Sequence, residues 1–269
     1  MSDRYCVIGN PIAHSKSPVI HAAFAAQTGH VLTYVRELAP LDGFDGRVRG
    51  LIAAGVLGAN VTVPFKLDAA RIATRLSARA QAAGAVNTLS FIDGEIVGDN
   101  TDGPGLVADI VRNAGVDLMG KRVLLLGAGG AARGVVLPLL DAGAAAIVVA
   151  NRTRATADAL VATFADARVT ACEYADIAGA FDVVVNATSA SLAGELAPVP
   201  SAAFGAGTLA YDLMYAAAPT PFMLFAASHG AQVRDGLGML VEQAAEAFAV
   251  WRGVRPDTAP IFSLLRQPT

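Results

Sequence analysis

The chain has 269 residues, 54% of them hydrophobic and 16% charged, with a formal net charge of −3. Such a length holds one large domain or two modest ones, and so apolar a composition excludes disorder. The weak negative charge argues against nucleic acid as a partner and leaves any anionic ligand to be held by a local arrangement of groups.

The opening Met1-Ser2-Asp3-Arg4 leads straight into an apolar run, without the h-region and cleavage site of a secretory leader, so a cytoplasmic protein is expected. That run, 5–9, predicts a strand. Ser17-Pro18 predicts a helix start, with the serine as N-cap and the proline at the first helical position, and Gly29 predicts its end. A strand over 31–38, a helix over 44–54 and a strand over 58–63 follow, and Pro64 opens another helix. Residues 86–92 and 95–98 read as a hairpin about Asp93-Gly94. A helix over 105–113 then leads to a strand over 123–126, a helix to about 140 and a strand over 146–150. Further strands are expected over 168–171, 181–186, 209–212 and 232–234, with a loop over 197–207 and a long final helix over 237–251. Strand-like and helix-like patterns alternate throughout, which predicts an α/β fold with parallel sheets.

Mean hydropathy is +0.49. The longest uncharged stretches, 196–211 and 213–228, each carry two prolines and fall short of the ~18 apolar residues of a spanning helix, so no membrane partner is expected. Cys6 and Cys172 stand alone, and His14, His21, His30 and His229 are scattered, so neither a disulfide framework nor a metal site is expected.

The segment 123–132 reads as strand, glycine-rich turn and helix start. In Gly127-Ala128-Gly129-Gly130-Ala131-Ala132, Gly127 permits the tight turn and Gly129 lets a pyrophosphate approach the backbone. The phosphate charge is met by the N–H groups and dipole of the helix N-terminus. Ala132 takes the place of the usual third glycine, small enough for close helix–sheet packing. Alone, such a turn is more often structural than cofactor-binding. The next strand, however, ends in Asn151-Arg152-Thr153-Arg154, where an NAD site usually carries a carboxylate for the ribose. Two guanidinium groups and two hydrogen-bonding side chains suit a phosphate instead, which favours NADP and a Rossmann-like, doubly wound domain around it. The competing reading, a solvated basic helix start, is weakened because arginine at a helix N-terminus opposes the dipole.

In Gly58-Ala59-Asn60-Val61-Thr62-Val63-Pro64-Phe65-Lys66, Val61 and Val63 face one side of the predicted strand and Asn60 and Thr62 the other, as suits a strand end lining a substrate cleft. Lys66 falls in the first turn of the next helix; a surface lysine is the ordinary alternative. This segment joins His14-Ser15-Lys16-Ser17-Pro18, Ala85-Val86-Asn87-Thr88 and Asp99-Asn100-Thr101-Asp102-Gly103. Together with the cofactor segments, Tyr211-Asp212-Leu213-Met214-Tyr215 and the run from Asp235-Gly236-Leu237 to Gln243, these resemble the signature blocks of the shikimate dehydrogenase family in order and spacing. The resemblance covers nearly the whole chain.

The resemblance implies NADP-dependent, reversible reduction of 3-dehydroshikimate to shikimate, a step toward chorismate and the aromatic amino acids. It implies that Lys66 and Asp102 form the catalytic pair and that Ser15 and Ser17 bind the substrate carboxylate. Thr62, Asn87, Asp102, Tyr215 and Gln243 would contact the ring, with Leu213 and Gly236 beside the nicotinamide. It further implies an N-terminal α/β substrate domain, 1–102 completed by helices within 237–269, and a Rossmann-like NADP-binding domain over 103–236, with the reaction in the cleft. The chemistry is consistent: hydride departure from a carbinol carbon requires a proton to leave its oxygen. A neutral lysine amine can accept it with Asp102 orienting the lysine and the hydroxyl, and the sequence leaves open which of the two takes the proton. On the final helix Gln243 shares a face with Met239, Leu240, Ala247 and Val250 by helical periodicity, so its amide needs a partner, either a substrate hydroxyl or a backbone group. Two departures from the family pattern are Thr156, where many NADP-using relatives carry a further basic residue, and Ala78, where a polar cofactor contact is common. Rival readings are a quinate or dual quinate/shikimate dehydrogenase, and a non-catalytic NADP-sensing relative. A tetrahydrofolate dehydrogenase shares the two-domain plan, but the serine pair and the Asn-Thr-Asp block do not suit it.

Overall fold

β1 (Asp3–Gly9) alternates between two apolar cores, with Cys6 and Ile8 in one and Tyr5 and Val7 in the other. This is the two-residue period of an extended chain buried on both faces. The structure is a computed structural model and describes residues 2–266. The chain up to Gly105 and from Leu240 onward forms one compact unit, and Leu106–Met239 forms the other.

In the first unit β1 is followed by α1 (Ser17–Thr28), β2 (Leu32–Leu38), α2 (Phe44–Ala53), β3 (Gly58–Val61), α3 (Lys66–Ile72), β4 (Arg75–Leu76), α4 (Ala78–Ala83), β5 (Thr88–Ile92), β6 (Glu95–Asp99) and the first four residues of α5 (Asp102–Ala108). The strands form one sheet in the order β2-β1-β3-β5-β6-β4. It is mixed, because the β5–β6 hairpin runs β5 antiparallel to both its neighbours. Val48 and Leu51 of α2 and Phe65 pack with Ile8, Val61 and Leu89 on one face.

Two local expectations change. Lys16, not Ser17, is the N-cap of α1; Ser17 already lies in the first turn, and its N–H donates to Ser15 Oγ at 3.3 Å. β3 stops at Val61, because the Phe65 N–H bonds back to Thr62 O at 3.0 Å and turns the chain. The expected alternation therefore does not reach Val63, which is 64% exposed where Val61 is 2%.

The second unit holds β7 (Arg122–Leu126), α6 (Gly130–Asp141), β8 (Ala146–Ala150), α7 (Arg154–Ala162), β9 (Val169–Cys172), β10 (Val183–Asn186), β11 (Leu209–Asp212), α8 (Pro221–Ser228) and β12 (Gln232–Arg234). Ahead of it, α5 starts at Asp102 and runs into a π-helical turn, Asp109–Asn113. Its sheet is wholly parallel, in the order β12-β11-β10-β7-β8-β9. Val123 and Leu125 pack with Val135 and Leu139 of α6, while Leu124 and Leu126 pack with Phe222 of α8 on the opposite face. The strand order reverses between β7 and β10, the doubly wound pattern whose ligands lie beyond the carboxyl ends of the strands at that reversal. Within 197–207 only a 3₁₀ turn, Ser201–Ala203, interrupts the expected loop.

The final helices are α9 (Leu237–Arg252) and α10 (Ala259–Arg266). Val241, Ala244 and Phe248 of α9 and Ile261 of α10 pack with Ile20 and Phe24 of α1. Trp251, near the end of α9, stacks on Tyr5 with ring centroids 4.7 Å apart and donates from Nε1 to Leu89 O at 3.1 Å. Gly58 leaves room for it, since a Cβ there would lie 2.6 Å from Trp251 Nε1. Residues 267–269, part of the expected helical completion, lie outside the described residues. No helix among the described residues is long and apolar enough to cross a membrane.

Candidate active site

In the first unit the turn after β3 delivers Lys66. Phe65, 1% exposed, stacks on Phe44 with centroids 4.9 Å apart and anchors the start of α3. Lys66, the first residue of that helix, reaches Asp102 Oδ2 at 2.7 Å, the two side chains being 30% and 14% exposed. Asp102 Oδ1 accepts from Asn87 Nδ2 at 2.9 Å. Asn87 Nδ2 also faces Thr101 Oγ1 at 3.0 Å and Gln243 Oε1 at 3.3 Å. Asn87 Oδ1 accepts from the Thr101 backbone N–H at 2.8 Å and from Thr88 Oγ1 at 3.0 Å. Lys66, Asp102, Asn87 and Gln243 thus form one polar cluster around a half-buried ion pair. Gln243 finds its partners inside the protein, donating from Nε2 to Leu240 O at 2.8 Å; Val250, expected on its face, is 42% exposed.

Asn60 does not line an open face. It is buried, accepts from the Tyr34 hydroxyl at 2.7 Å and donates to Thr88 Oγ1 at 3.1 Å. Thr62 sits on the turn, and Gly9 is what admits it: a Cβ at Gly9 would lie 2.6 Å from Thr62 Cγ2. Ser15 lies on the loop ahead of α1, and Ser17 is the first residue of that helix. Arg36, which stands outside the expected set, fixes that loop by donating from Nε and Nη2 to Ser15 O at 2.9 and 2.6 Å. Nothing in the sequence links Arg36 to Ser15, because the contact exists only once β2 is in place.

In the second unit β7 runs into Gly127, whose φ of 101° is a left-handed conformation that favours glycine. Its N–H donates to Ala150 O at 2.8 Å. Gly129 caps α6 without any side-chain bond to the first-turn N–H groups, and a Cβ at Gly129 or Gly130 would meet nothing within 4 Å. Ala128 is buried, Ala131 is exposed, and Ala132 is fully buried in the core beneath the helix. Open space over a turn of uncapped N–H groups fits a phosphate.

At the end of β8, Asn151 Nδ2 donates to Thr153 O at 3.0 Å, and Thr153 precedes α7. Arg154 pairs with Asp158 one turn on, Nε to Oδ1 at 2.9 Å, which offsets its poor position at a helix start. Arg152 is exposed and makes no hydrogen bond or ion pair among the described residues, so its guanidinium is the one open to a 2′-phosphate. The donor set fits NADP.

Leu213 and Gly236 are brought together: Gly236 N–H donates to Met214 O at 3.0 Å, and a Cβ on Gly236 would fall 2.1 Å from Leu213 O. Tyr215, two residues beyond Leu213, is 36% exposed, and partial burial raises its phenol pKa. Buried Asp212 secures this loop by accepting from Ser191 Oγ at 2.7 Å, Thr220 Oγ1 at 2.6 Å and Met214 N at 3.1 Å.

Three family models match the chain: a shikimate dehydrogenase substrate-binding domain over residues 7–89, a shikimate/quinate 5-dehydrogenase over 109–193, and a shikimate 5′-dehydrogenase C-terminal domain over 236–261. The shikimate dehydrogenase (NADP(+)) of Janthinobacterium sp. (strain Marseille) is 63% identical over 98% of this chain and 97% of its own length. The crystal structure of an Ael1 enzyme from Pseudomonas putida is 50% identical, with a TM-score of 0.96 over 99% of both chains. That of the Thermus thermophilus shikimate 5-dehydrogenase in complex with NADP(H) and shikimate is 34% identical, with a TM-score of 0.86 over 98% of both. Likeness of this degree over nearly the full length, with Lys66 and the glycine turn each inside a matched segment, places the chain in the shikimate dehydrogenase family.

Proposed function

We propose that the chain interconverts 3-dehydroshikimate and shikimate with NADP(H), and that Lys66 and Asp102 handle the proton. The observation that carries this reading is the half-buried ion pair between Lys66 Nζ and Asp102 Oδ2 at 2.7 Å, tied through Asn87 to Gln243. Its context is a chain 54–63% identical to enzymes named shikimate dehydrogenase (NADP(+)). When bound, NADP supplies the hydride acceptor and NADPH the hydride donor. The residues of the chain supply the path of the proton. A ring hydroxyl set against the pair loses its proton to it as hydride leaves the same carbon, and in reduction the pair returns that proton to the forming alkoxide.

Asn87 and Gln243 present amides that can donate to and accept from ring hydroxyls, with Thr62 and Tyr215 as further ring contacts. Ser15 and Ser17 offer hydroxyls to the substrate carboxylate. Gly127, Ala128, Gly129, Gly130 and Ala131 would hold the pyrophosphate, and Arg152, with Asn151, Thr153 and Arg154, the 2′-phosphate. Leu213 and Gly236 would border the nicotinamide. The working division is a substrate domain of 1–102 with 237–269 and a cofactor domain of 103–236, in a cytoplasmic protein whose partner is its small-molecule substrate. Steady-state NADP reduction with shikimate and with quinate at matched concentrations tests the reading. Shikimate is expected to be strongly preferred, and comparable or better turnover of quinate would overturn it.

A further inference from the structure

Beside the polar cluster, one guanidinium reaches two of the elements that build it. Arg79, on α4, donates from Nε to Asp99 Oδ1 and from Nη2 to Asp99 Oδ2, both at 2.7 Å, and from Nη1 to Glu246 Oε1 at 2.8 Å. Asp99 ends β6, just ahead of the turn that carries Asp102. Its Oδ1 also accepts from Ser77 Oγ at 2.5 Å and from the Asn100 N–H at 2.7 Å. Burial alone would raise the Asp99 pKa; the bonds from Arg79 and Ser77 prevail and hold it below the ordinary carboxylate range.

From Asp99 the order passes along the turn. Asn100 Nδ2 donates to Ala85 O at 3.0 Å, and its Oδ1 accepts from the Asp102 N–H at 3.1 Å. With Thr101 N–H on Asn87, every backbone N–H from Asn100 to Asp102 is bound by a side chain. The turn therefore has little freedom as long as Asp99 stays in place. The other arm of Arg79 ends on Glu246, about one helical turn beyond Gln243 on α9 and on the same side of it. Arg79 and Glu246 are each 25% exposed and Asp99 is 13% exposed, so the bridge is shielded from full solvent screening.

We propose that Arg79 is a positioning residue: through Asp99 it aims Asp102 at Lys66, and through Glu246 it fixes the stretch of α9 that presents Gln243. The inference rests on the reading that Lys66 and Asp102 handle the proton. In Arg79→Gln, kcat is expected to fall by about 10-fold to 100-fold, the scale of a misplaced catalytic group, with KM for NADP nearly unchanged. The isotope effect on kcat with shikimate deuterated at the reacting carbon should rise as hydride transfer becomes limiting. Arg79→Lys, which keeps the charge but not the fork, should recover part of the rate. The control is Arg255→Gln, which removes ion pairs of 2.7 Å to Glu242 and 2.5 Å to Glu246 from α9 while leaving Asp99 alone. It should lower Tm and spare kcat. The proposal is overturned if Arg79→Gln keeps kcat within a few fold and the isotope effect unchanged, or if Arg255→Gln shows the same kinetic loss. Should Arg79→Gln not fold, the same measurements on Arg79→Lys and Glu246→Gln decide, an unchanged kcat in both being the overturning result. Wild-type turnover surviving in Lys66→Met would defeat the underlying reading instead, and that outcome is distinct.

Discussion

Lys66, Arg152 and His21 show three ways a basic side chain can be placed, and each makes its own prediction. Lys66 is held at 2.7 Å from a carboxylate in a half-buried cluster. Replacing it by methionine keeps its length and removes the proton carrier, so kcat should drop by ~10²-fold or more, the scale of a lost acid–base group, with a smaller change in KM. Activity within a few fold of wild type would remove Lys66 from the chemistry. Arg152 is unpaired by any carboxylate among the described residues, whereas Arg154 is held by Asp158. Arg152→Asp should therefore raise KM for NADP by about 10-fold to 100-fold, the worth of a charge-assisted phosphate contact, and leave NAD kinetics little changed. Arg154→Asp should do less, and the wild-type preference should shrink at high salt. Equal kcat/KM for NAD and NADP in the wild type would assign both arginines to solvent.

His21 is the opposite case. Its ring is 1% exposed and lies flat on Tyr34, centroids 4.2 Å apart, with neither nitrogen hydrogen-bonded. Burial pushes its pKa down to about 3, only partly opposed by the nearby Asn60 amide. The unfolded chain, with an ordinary histidine near ~6.5, binds the proton more readily. Stability from the neutral ring is thus fully present above that value and is lost as pH falls toward 3, by up to about 1.4 kcal/mol per pH unit. His21→Phe should flatten the fall in urea-unfolding stability between about pH 6 and pH 4. An unchanged slope in the variant would assign the acid sensitivity to other groups.

Among the elements, the junction of β11, β12 and the start of α9 is the most tightly specified. Asp109, fully buried, accepts from Tyr211 Oη at 2.7 Å and from Arg234 Nε and Nη2 at 2.7 and 2.8 Å. Tyr211 Oη in turn accepts from the Met239 N–H at 3.1 Å, holding the first turn of α9. A Cβ at Gly238 would fall 2.1 Å from the Asp109 carboxylate oxygens. Gly238→Ala should therefore cost about 1–3 kcal/mol, as overpacking does, with no easy relief because both Tyr211 and Arg234 pin Asp109. Urea denaturation measures this, and a variant as stable as wild type would mean that the junction yields.

The same scale shows what the sequence makes legible. The glycine turn after β7 and its helix are plain because glycine chemistry and apolar runs are local signals. The β5–β6 hairpin is equally plain from Asp93-Gly94, both residues taking positive φ. The alternation misleads at Asn60, because both faces of β3 are covered and a buried asparagine bonded to Tyr34 has the same spacing as one facing a cleft. Ser17 reads as an N-cap by residue type, yet Lys16 takes that position. α4 and the brief β4 carry too short a pattern to register. Arg79 and Arg36 are invisible for another reason: their partners lie far along the chain, at Glu246 and at Ser15, and only the folded sheet brings them near.

At the scale of the whole molecule, the two units differ in how their chain is supplied. Leu106–Met239 is continuous, whereas the unit bearing Lys66 joins the beginning of the chain to its last helices. Ile20 and Phe24 have no finished core until Val241, Phe248 and Ile261 arrive, and Asp3 pairs with Arg252 at 2.6 Å. Contacts of such sequence separation close late, since the loop entropy must be overcome first. The sole tryptophan, Trp251, lies at that late-closing seam, stacked on Tyr5 and bonded to Leu89. Its fluorescence is therefore a built-in clock for the discontinuous unit alone. In stopped-flow refolding, part of the far-ultraviolet circular dichroism should return before the tryptophan signal does. Identical time courses for the two signals would mean that both units fold in a single step, and that a ribosome-bound chain gains no lasting order until its final helices emerge.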